Sequence, residues 1–377
     1  MSLTVTQISS KKQLRQFVTL VWPIYQGDPH WVPPIIADRL KLLDPAKNPF
    51  WSHADRALFI AYRDGRPVGR IAAIINRTHN EVHNEKMGFF GFFEVERSEE
   101  TAHALLRTAE TWLSERGMTT MRGPVNPSLN DEVGLLVDGF DDPPQILMTY
   151  NPEYYIDVIE SYGFTKAKDL FAWKLTPAFL TPKLRRVSAA VREREKLTVR
   201  NFRFSPKKAF NEDVETLRSI YNAAWEPNWG NVRMSSEEFD ALATDLKMVA
   251  AKDLVLIVET EGRPIGFALG LPDINQALIR NRTGSMIGAL YHLVMGKKRI
   301  KRGRIVVLGV IPAFQRRGID AVLYQEIGSR MVDDHGYQES EAGWVLEDNT
   351  MMNRAAAMMQ GEIAKRYRLY DKLMNEN

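Results

Sequence analysis

The apolar positions of the chain follow two alternating periodicities. Spacings of three and four residues put Leu14, Phe17, Val18 and Val21 on one side of a helix expected over Lys11 to Tyr25. Runs rich in β-branched and aromatic residues predict strands at 57–62, 68–76 and 87–95. A helix follows from Ser98 to Gly117, with Ser98 as its cap and Glu99 and Glu100 suited to its positive end. Further on, Val214, Leu217, Ile220 and Tyr221 mark the inner side of a helix over Glu212 to Ala224. Ser235 and Glu238 form a capping box that opens a helix from Ser236 to Ala251. Ile305 to Leu308 reads as a strand, Pro312 and Gly318 turn the chain, and Ile319, Val322, Leu323 and Ile327 have helical spacing. Trp344-Val345-Leu346 reads as another strand.

These elements recur in order. LFIAYRDGRPVG at 58–69 matches VLIVETEGRPIG at 255–266, each read as a hairpin turning at Gly-Arg-Pro. Leu3-Thr4-Val5 is echoed by Leu197-Thr198-Val199. Residues 151–175 parallel 349–373, with Asn151 against Asn349, Gly163 against Gly361 and Leu175 against Leu373. The pattern predicts two copies of one αβ fold, at 1–175 and 197–377. Between them, 176–196 reads as a charged, solvated linker helix with little apolar face.

Composition narrows the chemistry. A length of 377 residues suits two domains, and 44% hydrophobic with 26% charged residues is ordinary for a soluble globular protein. A formal charge of +3 is too small to argue for nucleic acid. The chain has no cysteine, which excludes disulfides, thiolate zinc sites and cysteine nucleophiles. No signal-peptide pattern or membrane-spanning run is seen, and a cytoplasmic location is expected. His79 and His83 stand four apart without a third ligand in view, so no metal site is expected.

The stretch RIVVLGVIPAFQRRGID is a strand, a basic loop and a helix start. A helix N-terminus has unpaired N–H groups and a positive dipole end, which suits an anion. Gln315, Arg316 and Arg317 add donors, and Gly318 permits close backbone approach. Leu308, Val310, Pro312, Gln315 and Gly318 match in register the pattern L-x-V-x-P-x-x-[QR]-x-x-G-x-[GA], and Asp320 departs from it. The stretch thereby resembles the acyl-CoA-dependent N-acyltransferase family known as GNAT. The resemblance implies an α/β architecture (α+β, mixed sheet), here as tandem GNAT-like folds. It also implies acetyl-CoA or another acyl-CoA as co-substrate. The pyrophosphate would lie on the loop and the pantetheine arm along the splayed strand. The positions concerned are Leu308, Gly309, Val310, Gln315, Arg316, Arg317, Gly318, Ile319 and Asp320, together with Asn349 after the following strand. An ungapped comparison of the halves sets Gln315 against Glu96 and Gly318 against Glu99. Carboxylates there would repel a pyrophosphate, so the first copy is expected to be degenerate.

Acyl transfer to an amine calls for a base, and Glu347, at the C-terminal end of the strand 344–346, is the first choice, with Asp348 and Glu226 behind it. The family often places a tyrosine acid where this chain has Gln360, although Tyr162 holds the corresponding place in the first half. Tyr324, Tyr367 and Tyr370 are substitutes for that role. The resemblance makes Asn222, Trp225, Glu226, Asn228 and Trp229 candidates for the acceptor wall, with core packing the plainer role for each tryptophan. The expected partner is a small-molecule or peptide amine, with no nucleic acid. Alternatives are a non-catalytic CoA- or ligand-binding protein and a double-GNAT aminoacyl transferase. Three segments stand outside this scheme. Trp31, Pro33, Pro34, Phe50 and Trp51 pack a loop or line a pocket. The polar, acidic stretch 122–150 is a crossover loop, a cover for the other half's site or a binder of a cationic amine. The apolar run Met286–Met295, followed by the basic run Lys297–Arg304, covers a sheet, lines an acyl channel, draws a CoA phosphate or contacts a membrane.

Overall fold

The computed structural model of the chain describes residues 2–225 and 228–374. It divides into two compact units. The first comprises Met1–Leu170, Leu278–Val294 and Lys365–Asn377; the second comprises Phe171–Ala277 and Met295–Ala364.

The first unit opens with β1 (Leu3–Gln7), the helices α1 (Lys11–Thr19), α2 (Val21–Ile24) and α3 (Ile36–Leu42), and the long hairpin β2 (Ala54–Arg63) and β3 (Arg66–Asn76). Next come α4 (Arg77–His83), β4 (Met87–Val95), α5 (Glu99–Ser114) and β5 (Thr120–Gly123). The stretch read as irregular holds β6 (Val125–Asn126), β7 (Glu132–Val133) and β8 (Leu135–Asp138), before α6 (Tyr155–Glu160) and β9 (Thr165–Leu175). β1 to β4 pair antiparallel in sequence order, and β4 then pairs β5 in parallel. The core lies under α5, whose Ala102, Leu105, Leu106, Ala109 and Leu113 recur every three or four residues and are all buried.

The second unit repeats this order with α7 (Pro182–Arg194), β10 (Leu197–Asn201), α8 (Lys207–Trp225), α9 (Ser236–Leu246), β11 (Val255–Thr260) and β12 (Arg263–Pro272). After α10 (Asn275–Leu278) and α11 (Met286–Gly296), of which Leu278–Val294 count in the first unit, come β13 (Arg302–Val310), α12 (Ile319–Ser329), β14 (Glu339–Leu346), α13 (Thr350–Met358) and β15 (Glu362–Leu373). β10 to β13 are antiparallel, and β13 pairs β14 in parallel. Along β11 the side chains alternate between two buried layers. Leu256 and Val258 pack with α12, while Val255 and Ile257 pack with α8 and α9. Residues Lys365–Leu373 of β15 count in the first unit, where they pair antiparallel with β5.

The two hairpins are the same device. Asp64-Gly65 and Glu261-Gly262 all have positive φ, which makes both turns type I′. The turn thus falls one residue before Gly-Arg-Pro is centred, and Arg-Pro starts the second strand. Both hairpins shift register at the same place, after Ala61 and after Val258.

Two segments differ from expectation. α7 is not a solvated connector: Ser188 and Val191 are buried, Ser188 Oγ donates to Gln325 Oε1 (3.2 Å), and Arg192 pairs with Glu326 (2.9 Å) on α12. α11 does not cover a sheet with its apolar side. Ala289 is buried, but Ile287, Leu290, Tyr291 and Val294 face solvent. In the Trp- and Pro-rich segment, Trp31, Phe50 and Trp51 are buried, and Trp31 stacks on Tyr25 (centroids 5.0 Å apart), so they pack the loop down.

Candidate active site

The second unit carries an opening in its sheet. The parallel pairs of β13 and β14 run from Arg302–Glu339 to Ile305–Ala342, while the strands continue to Val310 and Leu346. Beyond those pairs the strands part, and the backbone groups of Val306–Val310 that point away from β12 have no strand partner among the described residues. The apex is held by two groups that sequence reasoning missed. Arg304 and Glu341 form a cross-strand rung, both almost fully buried, with Nε 3.6 Å from Oε1. Arg304 Nη2 also donates to the Gly343 carbonyl (2.7 Å). The sequence signal was a pair of alternating arginines, Arg302 and Arg304, at the start of one strand and a pair of alternating acids, Glu339 and Glu341, at the start of the next.

The loop after β13 rises through a 3-10 turn over Pro312–Phe314. Gln315 Nε2 donates back to the Val310 carbonyl (3.0 Å) and so anchors the loop to the strand end. Arg316 (φ 61°) and Gly318 (φ 81°) both adopt the left-handed conformation, and Gly318 caps α12. The backbone N–H groups from Arg316 to Asp320 have no acceptor among the described residues. A run of free amides through left-handed turns at a helix N-terminus is an anion cradle. Arg316 is exposed beside it. Arg317 is held aside: it pairs with Glu195 (3.2 Å), lies over the Phe314 ring (4.8 Å), and its carbonyl accepts from Arg194. Ile319 is a buried core side chain, so only its amide faces the loop. Asp320 sits in the first turn, where a carboxylate suits the helix dipole.

On the other edge of the opening, Glu347 follows β14 directly and is half-buried. Asn349 caps α13 by accepting from the Met352 amide (3.2 Å). Asn353 Nδ2 donates to the carbonyls of Leu346 (3.0 Å) and Glu347 (3.2 Å), and its Oδ1 accepts from Trp173 (3.0 Å). Asn353 thereby fixes the strand end that presents Glu347. Gln360 lies exposed past the last turn of α13. Tyr324 is buried, with its hydroxyl 3.7 Å from Met352 Sδ; burial first, then the Asp320 charge, push its pKa above the ordinary phenol value. Tyr370 donates to Glu160 (2.9 Å) within the first unit, where Tyr367 is also buried.

Trp225, at the end of α8, lies against the splayed strand. A Cβ added to Gly309 would stand 2.2 Å from its ring, so this close approach requires glycine. Trp225 also stacks on Tyr221 (4.8 Å between centroids). One turn earlier, Asn222 Oδ1 is buried with no hydrogen-bond partner among the described residues. Trp229 is half-buried, and Glu226 lies outside the described residues.

The first unit fills the equivalent places with its own chain. Val95 stands opposite Gly69 as Val310 stands opposite Gly266. From there only Glu96 and Arg97 lead to the cap Ser98, whereas Ile311–Arg317 lead to Gly318. The caps therefore equate Gly318 with Ser98, one residue from the ungapped comparison. Arg63 donates to Glu96, Ser98, Glu100 and Thr101 at this helix start. β6 lies against β4: a Cβ on Gly91 would stand 1.6 Å from the Val125 carbonyl, and Asn126 Oδ1 accepts from the Phe92 amide (2.6 Å). The acidic stretch is likewise internally engaged, Glu132 by Arg39 (2.6 Å) and Asp142 by buried Lys365 (2.9 Å).

Comparison with known proteins agrees with this geometry. No family model matches the chain. A protein of Caulobacter vibrioides (strain NA1000 / CB15N), named bacterial ceramide synthase, is 35% identical over 381 residues, covering 99% of this chain and 98% of its own. Protein YghO of Escherichia coli (strain K12) is 32% identical over 371 residues, covering 96% and 93%. Among solved structures, a tandem GNAT protein from the clavulanic acid biosynthesis pathway superposes with a TM-score of 0.57 at 11% identity, over 100% of both chains. A GCN5-related N-acetyltransferase from Sphaerobacter thermophilus gives 0.55 at 15% identity, over 99% of this chain and 96% of its own. By identity along nearly its whole length, and with its repeated fold, the chain belongs to the family of tandem GNAT-fold proteins that includes the Caulobacter bacterial ceramide synthase and YghO.

Proposed function

We propose that the second unit binds an acyl-CoA and transfers its acyl group to the amine of a long-chain amino alcohol, giving an N-acyl amide. The observation that carries this reading is the parting of β13 from β14 beside a loop of free amides. The amides of Arg316–Asp320 suit a pyrophosphate, with Arg316 adding charge, and Asp320 takes the dipole position without occupying them. The unpartnered edge of Val306–Val310 suits the amide groups of a pantetheine arm, which pair with a strand edge as another strand would. The thioester supplies an activated acyl group. The amine nitrogen bonds to its carbonyl carbon, the C–S bond breaks, one proton leaves the nitrogen and one reaches the departing sulfur. Glu347 takes the first proton, directly or through water. Tyr324, whose hydroxyl lies beside Met352 in the first turn of α13, is the proposed donor for the second. Asn222 Oδ1, a buried acceptor lacking a donor, would receive an N–H or O–H of the acceptor, with Trp225 as the adjoining apolar wall. The first unit is proposed as a degenerate copy, because Arg63 and β6 take the places of ligand there. The choice of a long-chain amino alcohol rests on the likeness to the Caulobacter protein, whose name describes formation of an amide of that class.

The test is thiol release from acyl-CoAs of graded length across a panel of amines. The chain has no cysteine, so every thiol detected is product. Release is expected only when a fatty acyl-CoA and a long-chain amino alcohol are both present, with a single CoA site per chain in calorimetry. Absence of release with every pair, together with absence of CoA binding, overturns the reading.

A further inference from the structure

The helix Met286–Gly296 carries an apolar face that the protein itself leaves uncovered. Ile287 is 84% exposed, Leu290 64%, Tyr291 60% and Val294 67%, and their spacing of three and four residues sets them in one stripe. The opposite side is small and seated: Ala289 is buried, and a Cβ on Gly288 would stand 2.3 Å from Asn281 Oδ1. The preceding turn is fastened within the first unit, where Trp22 Nε1 donates to the Arg282 carbonyl (2.7 Å) and the Ile36 amide to the Gly284 carbonyl (2.9 Å). The helix is therefore held on one side and bare on the other. Its charge setting is one-sided as well. Lys297, Lys298 and Arg299 follow at once, all exposed, and Lys301 comes next. No Asp or Glu lies between Asp273 and Asp320 in the sequence. No helix of the described residues is long and apolar enough to cross a membrane, which leaves a surface-lying mode for this one.

We propose that Met286–Arg299 is an interfacial anchor that seats the protein on an anionic lipid surface. The stripe Ile287, Leu290, Tyr291 and Val294 enters the boundary between headgroups and acyl chains, and Lys297, Lys298 and Arg299 meet lipid phosphates. Charge complementarity selects this occupant over a second copy of the chain: two copies face to face would bring two identical basic clusters together with no carboxylate from the same segment to answer them. The inference does not depend on the acyl-transfer reading, and its test uses neither acyl-CoA nor amine.

The experiment is co-sedimentation of the full chain with vesicles of phosphatidylglycerol and phosphatidylethanolamine, against vesicles of phosphatidylcholine alone. Binding is expected to the first and not to the second, and to fall at high salt. Leu290→Glu with Val294→Glu removes binding and leaves the far-ultraviolet spectrum and melting temperature unchanged, since both side chains face solvent. Replacing Lys297, Lys298 and Arg299 by Gln weakens partition by about fivefold each, roughly a hundredfold together. Sedimentation velocity without lipid is expected to give one species whatever the concentration. Absence of binding to anionic vesicles overturns the proposal, as does binding that survives the Leu290 and Val294 changes. A concentration-dependent dimer abolished by those changes also overturns it, in favour of a second copy as occupant.

Discussion

Replacing Gly318 by glutamate separates the two properties assigned to the loop after β13. Gly318 has φ 81° and ψ 14°, a conformation in which an L side chain costs about 1–2 kcal/mol. A Cβ there would stand 3.1 Å from Val191 Cγ2, so Val191 must yield slightly. Both terms act on stability. The added carboxylate acts on ligand. At about 5 Å from a doubly charged pyrophosphate, with an effective dielectric between about 20 and 80, the repulsion comes to roughly 2–7 kcal/mol, or about 30-fold or more in Kd. Gly318→Asn is the control, because asparagine tolerates the left-handed region and adds no charge. Calorimetry with CoA should show the asparagine variant within a few-fold of wild type and the glutamate variant weakened as calculated. Thermal melts should show both variants folded, the glutamate one less stable by about 1 kcal/mol because it pays the left-handed cost that asparagine largely avoids. If the glutamate variant binds CoA as tightly as the asparagine variant, the pyrophosphate does not lie on this loop.

Glu347→Gln should lower kcat by about 10²–10⁴ while leaving CoA affinity unchanged; an unaltered kcat would remove Glu347 as base. Asp213 is fully buried: burial raises its pKa, but hydrogen bonds from Arg203 and Arg200 prevail and hold it below the ordinary 3.8. Asp213→Asn should cost about 1–3 kcal/mol in urea unfolding, because Arg200 and Arg203 lose their shared buried partner and keep only Glu259 and Glu212. In the wild type the contribution of Asp213 is full above pH 3.8 and lost as pH falls below it. His79 behaves in the opposite chemical sense, since burial and then His83 pull it down to about 4 from 6.5. The unfolded chain takes up a proton near 6.5 and the folded one resists it, so stability is full above 6.5 and falls toward pH 4. The loss is at most about 3 kcal/mol, and His79→Leu should flatten this slope in pH-dependent unfolding. Gly309→Ala should cost about 1–3 kcal/mol by driving a methyl group into the Trp225 ring, and Trp225→Ala in the same chain should relieve part of that cost.

The hairpins, the capping box at Ser235 and the strand–loop–helix at Arg304–Gln325 were legible because local chemistry decides them. A type I′ turn needs positive φ at Asp64-Gly65 and Glu261-Gly262, and a capping box is closed within four residues. The helix 182–194 was misread because its buried stripe is only Ser188 and Val191, too narrow for a periodicity count and visible only against α12. The role of the apolar side of α11 stayed open for a converse reason, and of its alternatives sheet cover does not hold. Hydrophobicity states what prefers to leave water, and a sequence cannot state what covers it. The Arg304–Glu341 rung needed the strand register, which no local pattern supplies. Asn222 drew notice only through the family's acceptor wall; that its oxygen is buried with no partner among the described residues is a fact of packing.

On the proposed reading, the opening that β6 fills in the first unit and the one-sided edge of β13 in the second imply unequal thermodynamic coupling to ligand. Around Gly91 the backbone demand is already met by Val125 and Asn126. Along Val306–Val310 it is met on one side alone. CoA binding at the proposed site would add RT ln(1 + [L]/Kd) to the second unit, about 2.7 kcal/mol at a hundredfold excess over Kd, and nothing to the first. Hydrogen exchange should register this as slowed amides along β13 and the start of α12 when CoA is present, with β4 and α5 exchanging at the same rate throughout. The duplicated fold would thus act as its own internal reference, one copy reporting cofactor and the other reporting the bare protein.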